Sequence, residues 1–363
     1  MIKIIIYATL LIIGLLILFI GLYLRFSPQL GGASRSYDSP NYVSGKFKNL
    51  IVTPMHSNNI SFFKILKDFI FNKHNQAFPP TILPSSKINK ELLSNLKETD
   101  VAISWLGHSC FFIKTKEISI ITDPVLGSTK LPPLNIGPKP FPTTQKYETN
   151  CLPKIDIVLI SHDHYDHLDM KIIKQLKSSL FYVPLGVKAH LIRWGISEQN
   201  ITEFDWYKEK LFMNNIKFIF APSRHYSGRG LLNRNSTLWG AWIIELNNKK
   251  IFFSGDTGYF EEFKKIGKDY GPFDLSLLDC GQYNIAWQYL HMLPEEVVQA
   301  GIDLRSKAIL PSHWGKYVLS LHKWSEPIER VVLEARKKGM VIVTPMIGET
   351  FLLSDKLPCG VWW

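Results

Sequence analysis

The chain has 363 residues and is 46% hydrophobic, so one large domain or two smaller ones could bury a sizeable core. Its formal net charge of +11 suggests affinity for anionic partners, such as phospholipid headgroups, nucleic acid or phosphorylated small molecules. The lysines are scattered, however, and no dense basic run with interleaved aromatic residues is present, so nucleic acid is not the expected partner. The four cysteines form no CxxC pair, which argues against a zinc knuckle and a dense disulfide framework.

The N-terminus carries one long apolar stretch. Residues 4–24, between Lys3 and Arg25, contain no charged side chain and are nearly all Ile, Leu, Phe, Tyr or Gly. Such a stretch is long enough to cross a bilayer as a helix. The alternative is a cleaved signal peptide, but its apolar region is usually shorter, and residues 31–33 resemble a cleavage site only weakly. We predict a single-pass anchor over residues 1–25, with the bulk of the chain outside the cytoplasm.

Residues 26–97 are expected to form a linker and a covering segment. Ser, Gly, Pro and Asn are frequent up to about residue 59, which is typical of a linker. Residues 62–71 have the spacing of an amphipathic helix, which either packs on the main domain or lies on a membrane surface. Packing is the favoured interpretation. Residues 87–96 predict a second short helix.

From about residue 98 the pattern changes to short apolar strands, which later alternate with helices. A proline-rich loop covers residues 124–153, and a loop of this length in a compact domain is usually functional. Hairpins mixed with β–α units fit two sheets packed together with helices outside them. We therefore predict an α/β domain over residues 98–355 and a C-terminal tail over residues 356–363.

Three histidines and two aspartates are concentrated in residues 162–167, His-Asp-His-Tyr-Asp-His. The apolar, β-branched run before them predicts a buried strand. His162 and His164 are two residues apart and therefore project to the same side of an extended backbone. The apolar spacing that follows predicts a helix, so Asp166 and His167 lie where the loop turns into it. Polar surface loops seldom have this composition, and the pattern suits two neighbouring metal ions.

Three more potential ligands each follow a predicted strand, namely His225, Asp256 and His313. Taken singly, each has an ordinary alternative: a lone histidine is more often structural, and Asp before Thr-Gly is a common turn. Loops at the strand ends of one sheet edge converge on one place. Together with residues 162–167, these residues supply enough ligands for two ions.

This ligand order resembles that of the metallo-β-lactamase fold superfamily of binuclear hydrolases. Over roughly residues 98–355 the chain more closely resembles N-acylphosphatidylethanolamine-hydrolysing phospholipase D and its bacterial relatives, which grade into an ascorbate-6-phosphate lactonase-like group. The resemblance implies a four-layer αββα sandwich and admits a homodimer. It rests on the motifs Trp105-Leu106-Gly107-His108-Ser109, Gly137-Pro138-Lys139, Ser161-His162-Asp163-His164-Tyr165-Asp166-His167-Leu168-Asp169, Leu238-Trp239-Gly240, Gly255-Asp256-Thr257-Gly258-Tyr259, Gly271-Pro272-Phe273-Asp274-Leu275 and His313-Trp314-Gly315.

Carried over position by position, the resemblance implies two zinc ions, although histidine-rich sites also accept Mn or Fe. One ion would be held by His162, His164 and His225, the other by Asp166, His167 and His313, with Asp256 bridging both. Two such ions share a hydroxide, formed from a bound water whose pKa falls toward neutrality. The hydroxide attacks phosphorus or a carbonyl carbon, and the ions take up the negative charge that develops. The catalytic residues expected on this basis are Asp166, Asp256 and His291.

Three residues near the motifs have an expected role and an ordinary alternative. Asp123 could orient a metal-binding histidine from behind, or form an Asx turn before a proline. His108 could act in the same way, or make only a structural hydrogen bond. His291 matches a family histidine placed near the substrate phosphate, or is a histidine at the start of a helix.

The chain departs from the phospholipases at residues 279–285. Where those enzymes carry a Pro-x-Gly-Ala-Tyr-Glu-Pro-like run, this chain has Asp-Cys-Gly-Gln-Tyr-Asn-Ile. The substrate pocket is expected to include Gln282, Tyr283 and His291. The change leaves the metal chemistry alone and bears on the identity of the substrate.

The resemblance implies a membrane-anchored, zinc-dependent phosphodiesterase that acts on N-acylphosphatidylethanolamine-like phospholipids. A lactonase or another hydrolase of small anionic molecules is the second hypothesis. A nuclease is the third, since related folds process RNA, but no nucleic-acid-binding appendage is evident. A scaffold without activity is the fourth, and the intact ligand set argues against it. The expected partners are the membrane, through residues 4–24, and a phospholipid or anionic small-molecule substrate.

Overall fold

The computed structural model describes residues 1–33, 35–56, 61–71, 75–129, 137–213, 215–230 and 232–363. Within these ranges the helices are α1 Ile2–Phe26, α2 Phe62–Phe71, α3 Lys90–Ser94, α4 Met170–Gln175, α5 Val187–Arg193, α6 Glu262–Asp269, α7 Pro294–Asp303 and α8 Glu326–Lys338. The strands are β1 Tyr42–Val43, β2 Lys46–Phe47, β3 Ala102–Trp105, β4 Phe111–Lys114, β5 Ser119–Thr122, β6 Ile157–Leu159, β7 Leu180–Pro184, β8 Ile201–Phe204, β9 Glu209–Phe212, β10 Ile216–Ala221, β11 Ala241–Leu246, β12 Lys249–Phe253, β13 Leu275–Asp279, β14 Ala308–Ser312, β15 Val341–Ile342 and β16 Thr350–Leu352.

Two seven-stranded sheets form the centre of the molecule. Their strand orders are β16-β3-β4-β5-β6-β7-β8 and β15-β14-β13-β12-β11-β10-β9. The strands from β5 to β8 in the first sheet and from β12 to β15 in the second pair in parallel. Parallel strands need helices over their outer faces. Helices α3–α5 cover the first sheet and α6–α8 the second, so the predicted αββα sandwich is confirmed.

The strand sequences read as uninterrupted apolar runs because both faces of each sheet are buried. In β4, Phe111 points into the core between the sheets, and Phe112 points into the core beneath α3–α5. The ring centroids of Phe111 and Phe253, from opposite sheets, lie 6.0 Å apart. Trp242 of the second sheet donates its indole N–H to Ile160 O at 2.9 Å. Ile160 lies just beyond β6 of the first sheet. These contacts fix the two sheets against each other beside the strand ends.

The N-terminal region begins with the apolar helix α1, whose residues 2–24 have a mean hydropathy of 2.9 and are not buried by the rest of the molecule. It is a candidate membrane span. Farther on, Phe47 of β2 is fully buried in the core between the sheets. Helix α2 forms at the expected residues, but its apolar side chains at 65, 66, 69 and 70 lie outside the described part of the structure. The packing of this helix on the main domain stays a prediction.

The C-terminal residues 356–363, expected only as a tail, pack onto the main domain. The ring of Trp362 stacks on Trp314, with centroids 5.3 Å apart and planes 23° apart. Thr344 donates its N–H to Pro358 O at 2.7 Å. Because Trp314 follows His313 directly, the tail supports a loop that carries a candidate ligand.

Candidate metal centre

The first group of ligand atoms is assembled from both sheets. His162 and His164 follow β6 of the first sheet, and His225 follows β10 of the second. His164 Nδ1 lies 2.9 Å from His162 Nε2 and 3.4 Å from His225 Nε2. The three nitrogens therefore converge on one point, which suits a single cation.

The second group is built in the same way. Asp166 and His167 come from the loop after β6, and His313 comes from the end of β14. His167 Nε2 and His313 Nε2 are 3.3 Å apart. Asp166 Oδ2 lies 3.5 Å from the first of these nitrogens and 3.6 Å from the second.

Asp256, just after β12, lies between the two groups. Its Oδ1 is 3.1 Å from His167 Nε2 and 3.2 Å from His313 Nε2. Its Oδ2 is 3.8 Å from His162 Nε2 and 3.7 Å from His225 Nε2. One carboxylate therefore faces both groups with a different oxygen, which is the geometry of a bridging ligand.

The spacing of these atoms fits divalent ions. Zn–N bonds of about 2.0–2.1 Å in tetrahedral geometry place ligand atoms about 3.3–3.4 Å apart. The separations here range from 2.9 to 3.8 Å. Asp256 Oδ1 is buried and accepts no hydrogen bond from the described residues, although two imidazole nitrogens are close by. Buried polar atoms seldom lack a partner, so a cation is a fitting partner for this oxygen.

Hydrogen bonds behind two of the rings set their tautomers. His225 Nδ1 lies 3.0 Å from Leu290 O, which can only accept, so Nδ1 carries the hydrogen and Nε2 carries the lone pair. His167 Nδ1 lies 2.7 Å from Asp123 Oδ2 and is held likewise. Asp123 also accepts from the Ser161 hydroxyl at 2.5 Å, and that hydroxyl lies 2.9 Å from a ring nitrogen of His162. Asp123 thus bonds directly to His167 of the second group and, through the Ser161 hydroxyl, is linked to His162 of the first.

His108 lies behind the second group. Its Nε2 is 2.9 Å from Asp166 Oδ2, and its ring packs on His313 with centroids 4.0 Å apart. Burial lowers the pKa of His108 to about 3. The neutral ring therefore donates one hydrogen bond, to Asp166, and can orient that carboxylate.

Asp279, at the end of β13, is a site residue that the sequence pattern did not single out. Its Oδ2 accepts from His291 Nδ1 at 2.9 Å, and its Oδ1 lies 3.1 Å from His313 Nδ1. The ring of His291 lies nearly parallel to that of His313, at 5.1 Å and 11°. Asp279 follows an apolar strand, as Asp256 and His313 do, so the same argument from strand ends could have found it.

The structure places Gln282 and Tyr283 differently from the expected substrate pocket. The buried Gln282 amide donates to the backbone oxygens of His313 and Tyr317, at 3.3 and 3.1 Å, and so supports the ligand loop. Tyr283 points toward α8, where its hydroxyl donates to Glu326 at 2.7 Å. The left-handed backbone at Gln282, with φ of 59°, turns the chain away from the ligands. Of the three expected pocket residues, His291 alone stacks on a ligand ring.

Two further contacts were missed because they join distant parts of the chain. Asn49, from the covering segment, accepts from the His225 N–H at 3.2 Å and donates to the His225 carbonyl at 2.8 Å. The ring of Tyr226 meets that of His164 edge-on at 4.4 Å. A single Asn in a linker-like sequence carries no signal for such a role.

The electrostatics differ between the two groups. Burial lowers the pKa of His162, His164 and His225, which keeps them in the neutral form that binds metals. Burial acts the same way on His313, but the carboxylates of Asp256 and Asp279 outweigh it and raise its pKa to about 10. The second group therefore lies in a negative field, which favours a bound cation.

A cavity of about 940 Å³ lies beside the ligand loop. Its wall includes Gly107 next to His108, Tyr165 within the ligand segment, and Gln29 just after α1. The remaining wall mixes apolar and polar side chains with charged ones of both signs, namely Lys146, Lys171, Arg229, Lys316, Glu148 and Asp169.

Comparisons with known proteins agree with this fold. The chain matches the β-lactamase superfamily domain over residues 119–314. An uncharacterized protein of Mycobacterium tuberculosis is 36% identical over 337 residues, covering 90% of this chain and 88% of that protein. The N-acyl-phosphatidylethanolamine-hydrolyzing phospholipase D 1 of Caenorhabditis elegans is 33% identical over 278 residues, covering 71% of this chain and 78% of that protein.

Two solved structures have the same fold. Igni18, a metallo hydrolase from Ignicoccus hospitalis, has a TM-score of 0.53 and 22% identity, covering 71% of this chain and all of that one. CmlA, a diiron β-hydroxylase from Streptomyces venezuelae, has a TM-score of 0.53 and 17% identity, covering 70% of this chain and 54% of that one. At these identities the likeness concerns the fold alone.

The fold and the paired His and Asp groups define a metal-dependent hydrolase, and they imply divalent metal ions. The chain belongs to the metallo-β-lactamase fold superfamily.

Proposed function

We propose that the protein is a membrane-anchored phosphodiesterase of the phospholipase D type that uses two zinc ions on N-acylphosphatidylethanolamine-like phospholipids. The observation that carries the hydrolytic part is Asp256, whose two oxygens each face a separate group of ligand nitrogens within 3.8 Å. In this proposal, the seven ligands are those named above, His162, His164, His225, Asp166, His167, His313 and Asp256.

When bound, the two ions would supply an activated water and neutralise developing negative charge. Zinc is favoured because histidine nitrogens dominate the site, but the same ligands accept Mn or Fe. The fold itself does not select the metal, since CmlA is described as a diiron enzyme.

The chain's own residues would hold this centre in place and handle protons. Asp123, His108 and Asp279 fix the orientation of His167, Asp166 and His291 respectively, through hydrogen bonds of 2.7 to 2.9 Å. With Nδ1 of His291 bound to Asp279, its Nε2 is the atom that can bind the phosphate or pass a proton to the leaving group.

Three observations support a phospholipid substrate. The Caenorhabditis elegans relative bears the name of an N-acyl-phosphatidylethanolamine-hydrolyzing phospholipase D. The apolar helix α1 would place the domain at a lipid surface. The cavity beside the ligand loop combines apolar walls with charged side chains of both signs, and Lys146 and Lys171 are cations there that could bind the phosphate of an amphiphile.

A lactonase is the second candidate. The observation that favours it is the run at residues 279–285, which differs from that of the phospholipases. Here Gln282 and Tyr283 turn their side chains to the protein instead of to the ligand groups. A pocket wall altered in this way could serve a smaller anionic substrate.

A substrate panel tests the proposal. The full chain, loaded with zinc, is assayed on vesicles containing N-acylphosphatidylethanolamine, on a sugar-phosphate lactone and on RNA. The proposal expects phosphatidic acid to form from N-acylphosphatidylethanolamine, with a higher kcat/KM than the enzyme has for the lactone or for RNA. Faster lactone opening would favour the second candidate, and RNA cleavage with strong salt dependence would favour a nuclease. Either result would overturn the phospholipid assignment.

A further inference from the structure

The chain leaves α1 and docks at once on the hydrolase domain. Trp194, directly after α5, donates its indole N–H to Pro28 O at 2.6 Å. Arg193 donates to Gly31 O at 2.8 Å and to Phe26 O at 3.1 Å. Residues 27–32, called here the exit segment, are therefore tied to the C-terminal end of α5 by side-chain bonds to the backbone carbonyls of Pro28 and Gly31, and a further bond holds Phe26 at the end of α1.

The exit segment lies so close to α5 that Gly32 has no room for a side chain. A Cβ at Gly32 would lie 2.2 Å from Ala189 O, a backbone atom that cannot move aside alone. The backbone conformation at Gly32 is open to other residues, because its φ is not in the left-handed region. Substitution here would therefore undock the segment without straining the chain itself.

Arg229 joins the exit segment to the ligand loop. Its guanidinium donates from Nε to Gln29 O at 2.9 Å, and from Nη1 to Asp163 O at 2.6 Å and Leu168 O at 2.9 Å. The two loop carbonyls flank the stretch that holds Asp166 and His167. One planar group thus binds both a residue of the exit segment and the two ends of the turn that carries Asp166 and His167.

Aromatic rings hold the guanidinium in this position. It lies over the rings of Tyr165 and Trp194, at 4.0 and 5.1 Å from their centroids. The Tyr165 hydroxyl donates back to Arg229 O at 2.7 Å. Arg229 is only 4% exposed, and a buried charge requires fixed partners. Its partners are divided between the exit segment, α5 and the ligand loop, so the three are held together.

A second connection runs parallel to the first. Nε2 of His190, in α5, lies 3.1 Å from Asp163 Oδ2. The other carboxylate oxygen, Asp163 Oδ1, accepts from the Gly228 N–H at 2.7 Å. The other edge of the His190 ring faces Gly31, where an added Cβ would lie 2.0 Å from Nδ1. The exit segment, α5 and the ligand loop are therefore in contact at two places.

We propose that Arg229 is a positioning residue that couples the docked exit segment to the metal-binding loop. The coupling would order residues 163–168 when the segment is docked, and would hold this loop next to the membrane that contains α1. The inference rests on the proposed metal-binding role of Asp166 and His167, and it does not depend on the phospholipid substrate.

The first test compares Gly32→Ala with Gly21→Ala in the full chain, reconstituted in phosphatidylcholine vesicles. Gly21 has no atom within 4 Å of an added Cβ and serves as the matched control. Hydrogen exchange of residues 161–168 and the rate of zinc loss to a chelator are measured. We expect Gly32→Ala to speed exchange in this peptide and to weaken zinc retention about 10-fold, and Gly21→Ala to match the wild type. Unchanged exchange and retention in Gly32→Ala would overturn the proposal.

The second test is a double-mutant cycle with Arg229→Lys, which keeps the charge but loses the planar fork. If Arg229 carries the coupling, Gly32→Ala should add little once Arg229 is changed, so the two effects on zinc retention should be clearly non-additive. Strict additivity would mean that the exit segment and the loop are independent. Should Gly32→Ala unfold the whole domain, Trp194→Phe takes its place in both tests, because it removes the bond to Pro28 O and keeps an aromatic ring at the position that faces Arg229.

Failure of the proposed function would look different. A wild-type chain that binds zinc but hydrolyses no phospholipid contradicts the substrate assignment, while the exchange and zinc measurements still decide the coupling.

Discussion

At the scale of single residues, Asp279 has an unusual position because it contacts two histidines with different roles. One oxygen binds His291 and the other lies beside His313. Carboxylates that hold metal-binding histidines typically change affinity or activity 10- to 100-fold when they are replaced.

Replacing Asp279 with Asn should therefore lower both zinc affinity and kcat roughly 10- to 100-fold while the fold is kept. The amide is neutral, so it lacks the negative charge by which Asp279 stabilises a proton on Nδ1 of His291 and of His313. Chelator competition and steady-state kinetics measure the two effects. Asp156→Asn is a suitable control, since Asp156 precedes β6 and its carboxylate bonds to Ser119 and Lys154 at the far end of that strand from the ligands. Equal effects of both substitutions would contradict the assigned role.

Lys316 is a buried cation whose Nζ donates to Val125 O at 2.6 Å and Leu106 O at 3.3 Å. Burial lowers the pKa of Lys316 from 10.5 to about 8. Between these two values the unfolded chain holds a proton that the folded chain has released, so the free energy of unfolding rises with pH across this window. Below pH 8 both states are protonated and the burial penalty is constant, at about 3 kcal/mol.

Lys316→Met should remove this dependence. The wild-type free energy of unfolding is expected to climb by up to about 3 kcal/mol from pH 8 to pH 10.5 relative to that of the variant. Denaturant unfolding at a series of pH values measures the difference. Lys307→Met, at an exposed lysine that pairs with Asp274, should keep the wild-type slope. Parallel curves for wild type and Lys316→Met would refute the assignment of the slope to this residue.

The ligand residues themselves could be predicted from sequence because four of the seven lie within residues 162–167. Two of the residues that hold them, Asp123 and His108, lie beside ligand motifs and could be predicted as well, but others could not. Asn49 and Arg229 act on histidines and loops that are brought to them only by tertiary folding. A sequence pattern gives the type of a side chain, but its partners depend on how distant segments pack.

At the scale of elements, the central strands were predicted because both of their faces are buried and their sequences are continuously apolar. Two of the four edge strands, β8 and β9, were missed. Strand β9 alternates exposed and half-buried residues and includes Glu209 and Lys210, as is common at a sheet edge. Helix α8 was also missed, although a proline at its start and Gly339 at its end are ordinary helix signals.

The C-terminal tail gives a prediction at this scale. Trp362 packs between Trp314 and Trp105, with centroids 5.3 and 6.2 Å away. Truncating this partly buried ring in Trp362→Ala should lower the free energy of unfolding by about 2 kcal/mol. Val361→Ala, at an exposed neighbour, should change it by less than about 0.5 kcal/mol. Thermal unfolding compares the two, and equal stabilities would show that the tail does not support the domain.

At the scale of the whole molecule, the site lies where the two sheets meet. The sequence argument expected ligand loops to converge at the edge of one sheet. In the structure, the loop after β6 belongs to the first sheet, while those after β10, β12 and β14 belong to the second. Sheet membership follows from strand pairing, which the order of strands along the chain does not determine. The convergence was predictable, but its origin in two sheets was not.

The central claim is that one carboxylate, Asp256, joins two metal positions, each of which takes ligands from both sheets. The most direct measurement is the metal content per chain of the wild type and of Asp256→Asn, by plasma mass spectrometry, with hydrolysis of a generic phosphodiester measured in parallel. We expect two divalent ions per wild-type chain, and fewer than two in Asp256→Asn with hydrolysis reduced at least 100-fold. Full hydrolysis and an unchanged metal content in Asp256→Asn would contradict the account.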